Sequence, residues 1–382
     1  MDLSSCNSVK ISALGSITKS QSNRSTSDFQ QQQIKRLEKF VLQEISAKLL
    51  SKERVRLCLR RRISKDVGVK VFFNPVREKA HYGNLVRCGS IWVCPVCSAQ
   101  ISEKRKIELK KAIDNYRKEG GHVYLLTLTN RHNYGDNLTA LLDGQRKALK
   151  YFWGDRNTKE KLKQLGKFGH IIATEVTYGV NGWHPHYHIL LFMSKPLDFA
   201  SFRDFFGAAW VHCCAKSGLK SPTLEHGLDI RDGSYADKYV SKWGLEDEMT
   251  KGHIKKGKVD GLTPFDLLRQ SVENPEYEKL FQQFAVCFKG KRQLFWSRGL
   301  KSALGIFEQS DEELAEETEQ TSVELRELVI EIWHLITQYS KRAEFLECIE
   351  YDYFNHTEKA NALIMRLAQF ESQKLAESQA SA

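Results

Sequence analysis

Residues 169–192, GHIIATEVTYGVNGWHPHYHILLF, constrain the fold more than any other stretch. Runs of β-branched, aromatic and apolar residues flank Gly-Val-Asn-Gly, so the segment reads as two strands joined by a tight turn. Centring the turn between Val180 and Asn181 sets Glu175 opposite His186 and Ala173 opposite His188. His184, His186 and His188 occupy alternate positions and share one face. Imidazoles side by side at the edge of an apolar run are costly unless something shares their lone pairs, and a divalent cation does so. Pro185 lacks an N–H and suits a strand entrance, which is expected to leave His184 outside the ladder. His186 and His188 are then the ligand pair, and Glu175 is the third donor. A mixed nitrogen and oxygen set with open positions suits Mg²⁺ or Mn²⁺ working on phosphate, and it also accommodates a catalytic Zn²⁺.

The rest of the chain alternates loosely between strand and helix signals, which favours an α+β fold with a central, mainly antiparallel sheet flanked by helices. Residues 1–32 are Ser-, Thr- and Gln-rich and are expected to be a disordered tail. Residues 33–121 form an N-terminal segment: a helix over 33–53, a strand-like alternation in RVRLCLRRRIS, and a basic helix over 102–121 closed by Gly120 and Gly121. Residues 122–309 hold a buried strand at 122–130, a helix at 138–154, the hairpin, and further helices. Residues 310–382 read as an acidic helical appendage. Leu325, Leu328, Val329, Ile332, Leu335, Ile336 and Tyr339 would lie on one of its stripes.

In SYADKYVSKWG, Tyr235, Tyr239 and Lys242 fall at i, i+4 and i+7 on one helical stripe. Tyrosines at helical spacing usually pack in a core, but Lys242 on the same stripe argues against a fully apolar face. A phenol with a pKa near ~10 is a weak nucleophile until it is activated. A lysine nearby and a metal-polarised phosphate supply that activation. Tyrosine, metal and phosphodiester together point to transesterification that breaks a DNA strand and stores the bond as phosphotyrosine.

RCGSIWVCPVCSAQIS contains Cys88, Cys94 and Cys97, and the Cys-Pro-Val-Cys knuckle has the spacing of a structural Zn²⁺ site. The fourth ligand is Cys58 or His81, with Cys58 preferred. Cys213, Cys214, Cys287 and Cys348 read as packing residues. No apolar run is long enough to span a bilayer, and no signal peptide is apparent, so the nine cysteines are expected to be reduced in a cytoplasm.

Charge is uneven. Residues 301–382 hold 7 Lys/Arg against 17 Asp/Glu, so residues 1–300 carry +21 within a total of +11. A basic body with an acidic tail suits a polyanion, and nucleic acid is the usual one. Arg60, Arg61 and Arg62 in RLCLRRRI, and Lys255 and Lys256 in KGHIKKGK, are candidates for the DNA backbone. No Gly-x4-Gly-Lys-Ser/Thr phosphate loop is present, which argues against a helicase.

YLLTLTN, HPHYHILLF and YVSKW resemble, in order and spacing, the three motifs of HUH endonucleases, and more narrowly those of rolling-circle replication initiators. The resemblance covers about residues 85–300, and GKRQLFWSRGLKSALG is similar to the segment that closes such domains. It implies that His186 and His188 bind the metal and that Tyr239 is the nucleophile. Lys242 would assist. Tyr235 would match the extra tyrosine of two-tyrosine phage initiators, where many plasmid initiators have a glutamate. Thr127 and Thr129 match the first motif, whose role is structural. Similar cysteines precede that motif in plasmid initiators. The resemblance further implies origin DNA as substrate, a host helicase and polymerase as partners, and a 3′-OH as product. The acidic segment leaves room for pairing with a second subunit. The rivals are a two-tyrosine transposase and a non-catalytic zinc-bearing DNA-binding regulator.

Overall fold

A computed structural model describes residues 27–241, 261–316 and 322–380. Residues 1–26 of the expected disordered tail lie outside these, as do Lys242, Lys255 and Lys256. The described strands run, in chain order, β1 Val69–Asn74, β2 Lys79–Gly83, β3 His122–Thr129, β4 Lys167–Gly179, β5 Gly182–Met193, β6 Leu228–Arg231, β7 Leu294–Trp296 and β8 Val323–Leu328. They form two antiparallel sheets flanked by helices, so the α+β expectation holds. The chain divides into two compact units. One takes its described residues from Met1–Cys97 and Asp311–Ala382, the other is Ser98–Ser310. No helix of the described residues is long and apolar enough to cross a membrane.

The larger unit is built on a five-stranded sheet in the order β6-β3-β5-β4-β7. Its central strand, β5, is apolar on both faces beyond the histidines, as a strand covered on both sides must be. Tyr187, Ile189, Leu191 and Met193 face a core that includes Phe152, Phe202, Phe206 and Trp210, from the helices Leu138–Gly154 and Phe199–Lys216. Leu190 and Phe192 face the opposite core. That core holds Leu109 and Ile113 of the helix Pro95–Lys118, and Ala236 and Val240 of the helix Gly233–Ser241. Strand parity therefore puts His186 and His188 on the same face as Leu190, toward the helix that carries Tyr239.

The hairpin has the expected register. Glu175 pairs with His186, Ala173 with His188, and Gly179 with Gly182. Gly182 has φ +79°, and a Cβ there would come within 3.2 Å of Asn133 O and Tyr134 Cα. The expectation for His184 is corrected, because it lies inside the ladder, opposite Thr177. Pro185 is tolerated because β3 pairs with β5 only as far as Thr129 and His186. Beyond that point β5 is bonded on one side alone, and the missing N–H breaks nothing.

The smaller unit has a three-stranded sheet in the order β2-β1-β8. Three expectations change here. Residues 27–32, read as tail, belong to the helix Ser27–Leu49, because a Gln-rich stretch propagates a helix once its amphipathic continuation packs. The basic and apolar alternation around Cys58 is a short 3₁₀ turn, Arg54–Leu57, rather than a strand. Leu59 then takes φ +50°, as the chain bends to bring the Cys58 thiol inward. The stripe from Leu325 to Tyr339 is split between the strand β8 and the helix Ile330–Gln338, since β8 finds an edge to pair with in β1. Most of the described acidic segment is helical, with Arg342–Asn355 and Lys359–Ala380 following.

Candidate functional site

Three side chains converge at the end of the β4–β5 hairpin. His186 Nε2 and His188 Nε2 are 3.1 Å apart, and Glu175 Oε2 lies 3.5 and 3.4 Å from them. Together they could hold a metal ion. In an octahedral ion with ~2.1 Å bonds, adjacent donors stand about 3 Å apart, so the spacing fits one face of such an ion with the other positions open. The donor chemistry fits as well, since it gathers two neutral imidazoles and one carboxylate.

The second ring nitrogens explain why both Nε2 atoms face inward. His186 Nδ1 lies 3.4 Å from the His184 carbonyl, an acceptor only, so Nδ1 carries the proton and Nε2 keeps its lone pair. His188 Nδ1 lies 3.0 Å from Thr127 Oγ1, from the adjacent strand. Such outer partners fix ring orientation and tautomer in metal sites. Gln145, fully buried on the helix Leu138–Gly154, donates to the Pro185 carbonyl at 2.6 Å and to Asn130 Oδ1, which fastens the strand between His184 and His186. A lone glutamine on an otherwise apolar helix face was its only trace in the sequence. Burial works against ionisation of Glu175, but hydrogen bonds and charge from His186 and His188 outweigh it and hold the carboxyl well below its ordinary range.

His184 does not join the donors. Its ring lies 5.1 Å from the His186 ring and 4.6 Å from His132, a neighbour that sequence reasoning missed. Burial, then the charges of His186, His132 and His188, push His184 down to about 4.

The helix Gly233–Ser241 lies against this face. Asp232 accepts from Ser234 N at 2.9 Å at the helix start. Arg117 grips the helix with two 2.9 Å bonds to Asp237 and one to the Gly233 carbonyl, an anchor with no local sequence signal. Ala236 and Val240 are buried, and Tyr239 beside them reaches the site. Its hydroxyl donates to Glu175 Oε1 at 2.8 Å, and its ring lies 4.8 Å from His188. Tyr235, one turn earlier, contacts Arg231 and Lys238 instead.

In the smaller unit Cys58, Cys88, Cys94 and Cys97 are all buried and could hold a metal ion together. Cys58 to Cys97 is 3.5 Å between sulfurs, Cys88 to Cys97 is 3.7 Å, and Cys94 to Cys58 is 3.7 Å. These are far longer than the ~2.05 Å of a disulfide. They match the edge of a tetrahedron, about 3.8 Å, that ~2.3 Å Zn–S bonds would give, so the cluster fits a zinc site. Hydrogen bonds from the other three thiols pull Cys97 well below its ordinary value, whereas burial pushes Cys94 up. Without a cation the cluster cannot hold several thiolates at once. Gln43, unmarked in the sequence reading, is fully buried. It donates to Cys94 Sγ at 3.3 Å and accepts from Arg342 at 2.8 Å.

The three arginines read as DNA contacts differ. Arg60 is half-buried with Glu44 3.8 Å away, and burial and then Arg342 lower its pKa. Arg62 donates to the carbonyls of Lys65 and Val67. Arg61 is exposed.

A family model described as "Replication protein" matches residues 84–345. Among curated proteins, "Protein rep" of Streptomyces lividans is 26% identical over 334 residues, covering 66% of this chain and 73% of that protein. A "Neomycin resistance protein" of Streptomyces cyanogenus is 34% identical over 151 residues, about a third of each chain (33% and 34%). No solved structure matches.

Proposed function

The chain belongs to the replication-protein family, and on that premise we propose that it initiates rolling-circle replication by nicking one DNA strand at an origin. The observation that carries the proposal is the hydrogen bond from Tyr239 to Glu175, because it joins a nucleophile to the metal donors in a single contact. His186, His188 and Glu175 would hold Mg²⁺ or Mn²⁺, which when bound polarises the scissile phosphate.

Tyr239 is the nucleophile. Its oxygen attacks phosphorus, the bond to the 3′ oxygen breaks, and the 5′ phosphate stays on the tyrosine. The phenol proton points at Glu175 Oε1, which leaves the oxygen lone pairs free for the attack. The departing strand leaves as a 3′-OH for a host polymerase, and a host helicase opens the duplex. Lys242, three residues on from Tyr239, would position the phosphate. The four cysteines hold structural Zn²⁺, and basic segments hold the DNA backbone, so binding weakens as salt rises. The protein acts in the cytoplasm.

The test is direct. The protein is incubated with Mg²⁺ or Mn²⁺ and a supercoiled plasmid carrying its coding region and flanks. A protein–DNA adduct that survives denaturant is expected with wild type and absent with Tyr239→Phe. If the plasmid is bound but never nicked, the chain is a zinc-bearing DNA-binding regulator.

A further inference from the structure

The sequence pairs Tyr235 with Tyr239, but the structure surrounds them differently. Tyr239 meets Glu175 and His188. Tyr235 is 40% exposed, and its ring has the Arg231 guanidinium and the Lys238 ammonium each 4.9 Å from its centroid. It makes no contact with Glu175, His186 or His188 among the described residues. Nor does it support the core, since Ala236 and Val240 take the inward positions of its helix.

We propose that Arg231, Tyr235 and Lys238 form a platform for the single DNA strand that runs into the site, with a base stacked on the Tyr235 ring and its flanking phosphates on the two cations. An exposed aromatic ring interleaved with cations is what sequence-tolerant single-strand binding uses: the ring takes the face of any base and the cations track the backbone. The neighbouring carboxylates do not cancel this charge. Asp237 is paired with Arg117, and Asp232 caps the helix start. Asp229 holds Arg231 through Nε at 2.5 Å, which orients the guanidinium over the ring and leaves its terminal N–H groups for phosphate. One helical turn, ~5.4 Å, separates the platform from Tyr239, about the reach of one nucleotide. Tyr235 is then a residue that holds the strand through its ring, and its hydroxyl is dispensable for that task. The inference rests on the nicking proposal for the path of the strand.

The experiment uses the full chain and fluorescein-labelled (dT)20, with affinity read by anisotropy at fixed salt. Tyr235→Ala is expected to weaken binding about tenfold, the size of a base–aromatic stack, and Tyr235→Phe to restore it. Lys238→Gln is expected to reduce the slope of log affinity against log salt by about 0.7, one phosphate contact on a single strand. Wild-type affinity in Tyr235→Ala overturns the platform. So does a Phe variant as weak as the Ala variant, because the hydroxyl would then be the working group. A parallel adduct assay on the supercoiled plasmid separates the two claims. A tenfold loss in Tyr235→Ala with no adduct from wild type supports the platform and removes the nicking reading. An adduct with unchanged (dT)20 binding in Tyr235→Ala removes the platform alone.

Discussion

Tyr239 and Glu175 share a 2.8 Å hydrogen bond across the face of the sheet, from phenol hydroxyl to Oε1. The other carboxylate oxygen faces both histidine Nε2 atoms. One side chain thus looks at the nucleophile with one oxygen and at the donor pair with the other, and its removal should disturb both partners.

Glu175→Gln keeps the size and an acceptor for Tyr239 but removes the charge. Mn²⁺ affinity, measured by calorimetry, is expected to fall at least about tenfold. Unchanged affinity would show that the carboxylate is not a donor.

Thr127→Val removes the partner of His188 Nδ1 and lets the imidazole turn or change tautomer. Mn²⁺ affinity is expected to drop about 10- to 100-fold, the range for outer-shell partners, and Thr127→Ser to restore it. If valine binds Mn²⁺ as threonine does, strand packing alone orients the ring.

The hairpin was legible because its information is local. Turn residues, alternation and the apolar run all lie within residues 169–192, and together they set Glu175 opposite His186. The helix Gly233–Ser241 was legible for the same reason. The pairing of β8 with β1 was not, because the strands are separated by some 250 residues and Val323–Leu328 also satisfies a helical stripe. Arg117 on Asp237, His132 on His184, and Gln43 on Cys94 were hidden likewise, since each joins residues whose local sequence has no reason to single them out.

The four-thiol cluster predicts metal content. The purified chain should hold one zinc ion at that site, and Co²⁺ in its place should give the absorption of a tetrahedral tetrathiolate. Cys97→Ser should abolish that spectrum and cost the smaller unit ~3 kcal/mol or more, because metal affinity there is folding free energy. Wild-type melting in Cys97→Ser, or after strong chelation, would contradict the zinc assignment.

Acid sensitivity has a defined contributor in His170, whose ring stacks on Trp153 at 4.5 Å. Burial, then the charge of Lys167, push it down to about 3, while burial pushes Lys167 down to about 8. Below about 6.5 the unfolded chain takes up a proton that folded His170 refuses, so its stability contribution is full above 6.5 and is lost as pH falls toward 3. For Lys167 the folded form loses its proton first, so stability rises as pH climbs from about 8 to 10.5. The melting temperature of His170→Phe, which keeps the ring stack, should fall less than that of wild type between pH 6.5 and 4. Parallel curves would contradict the assignment. Glu175 contributes equally to both proteins and cancels.

The central claim is that Tyr239 takes the phosphate, and trypsin tests it cleanly. Cleavage after Arg231, Lys238 and Lys242 places Tyr235 on peptide 232–238 and Tyr239 on peptide 239–242. The adduct formed on the supercoiled plasmid is trimmed with nuclease, digested and weighed. The account predicts a nucleotide mass on peptide 239–242 alone. The same mass on peptide 232–238, or on neither, would contradict it.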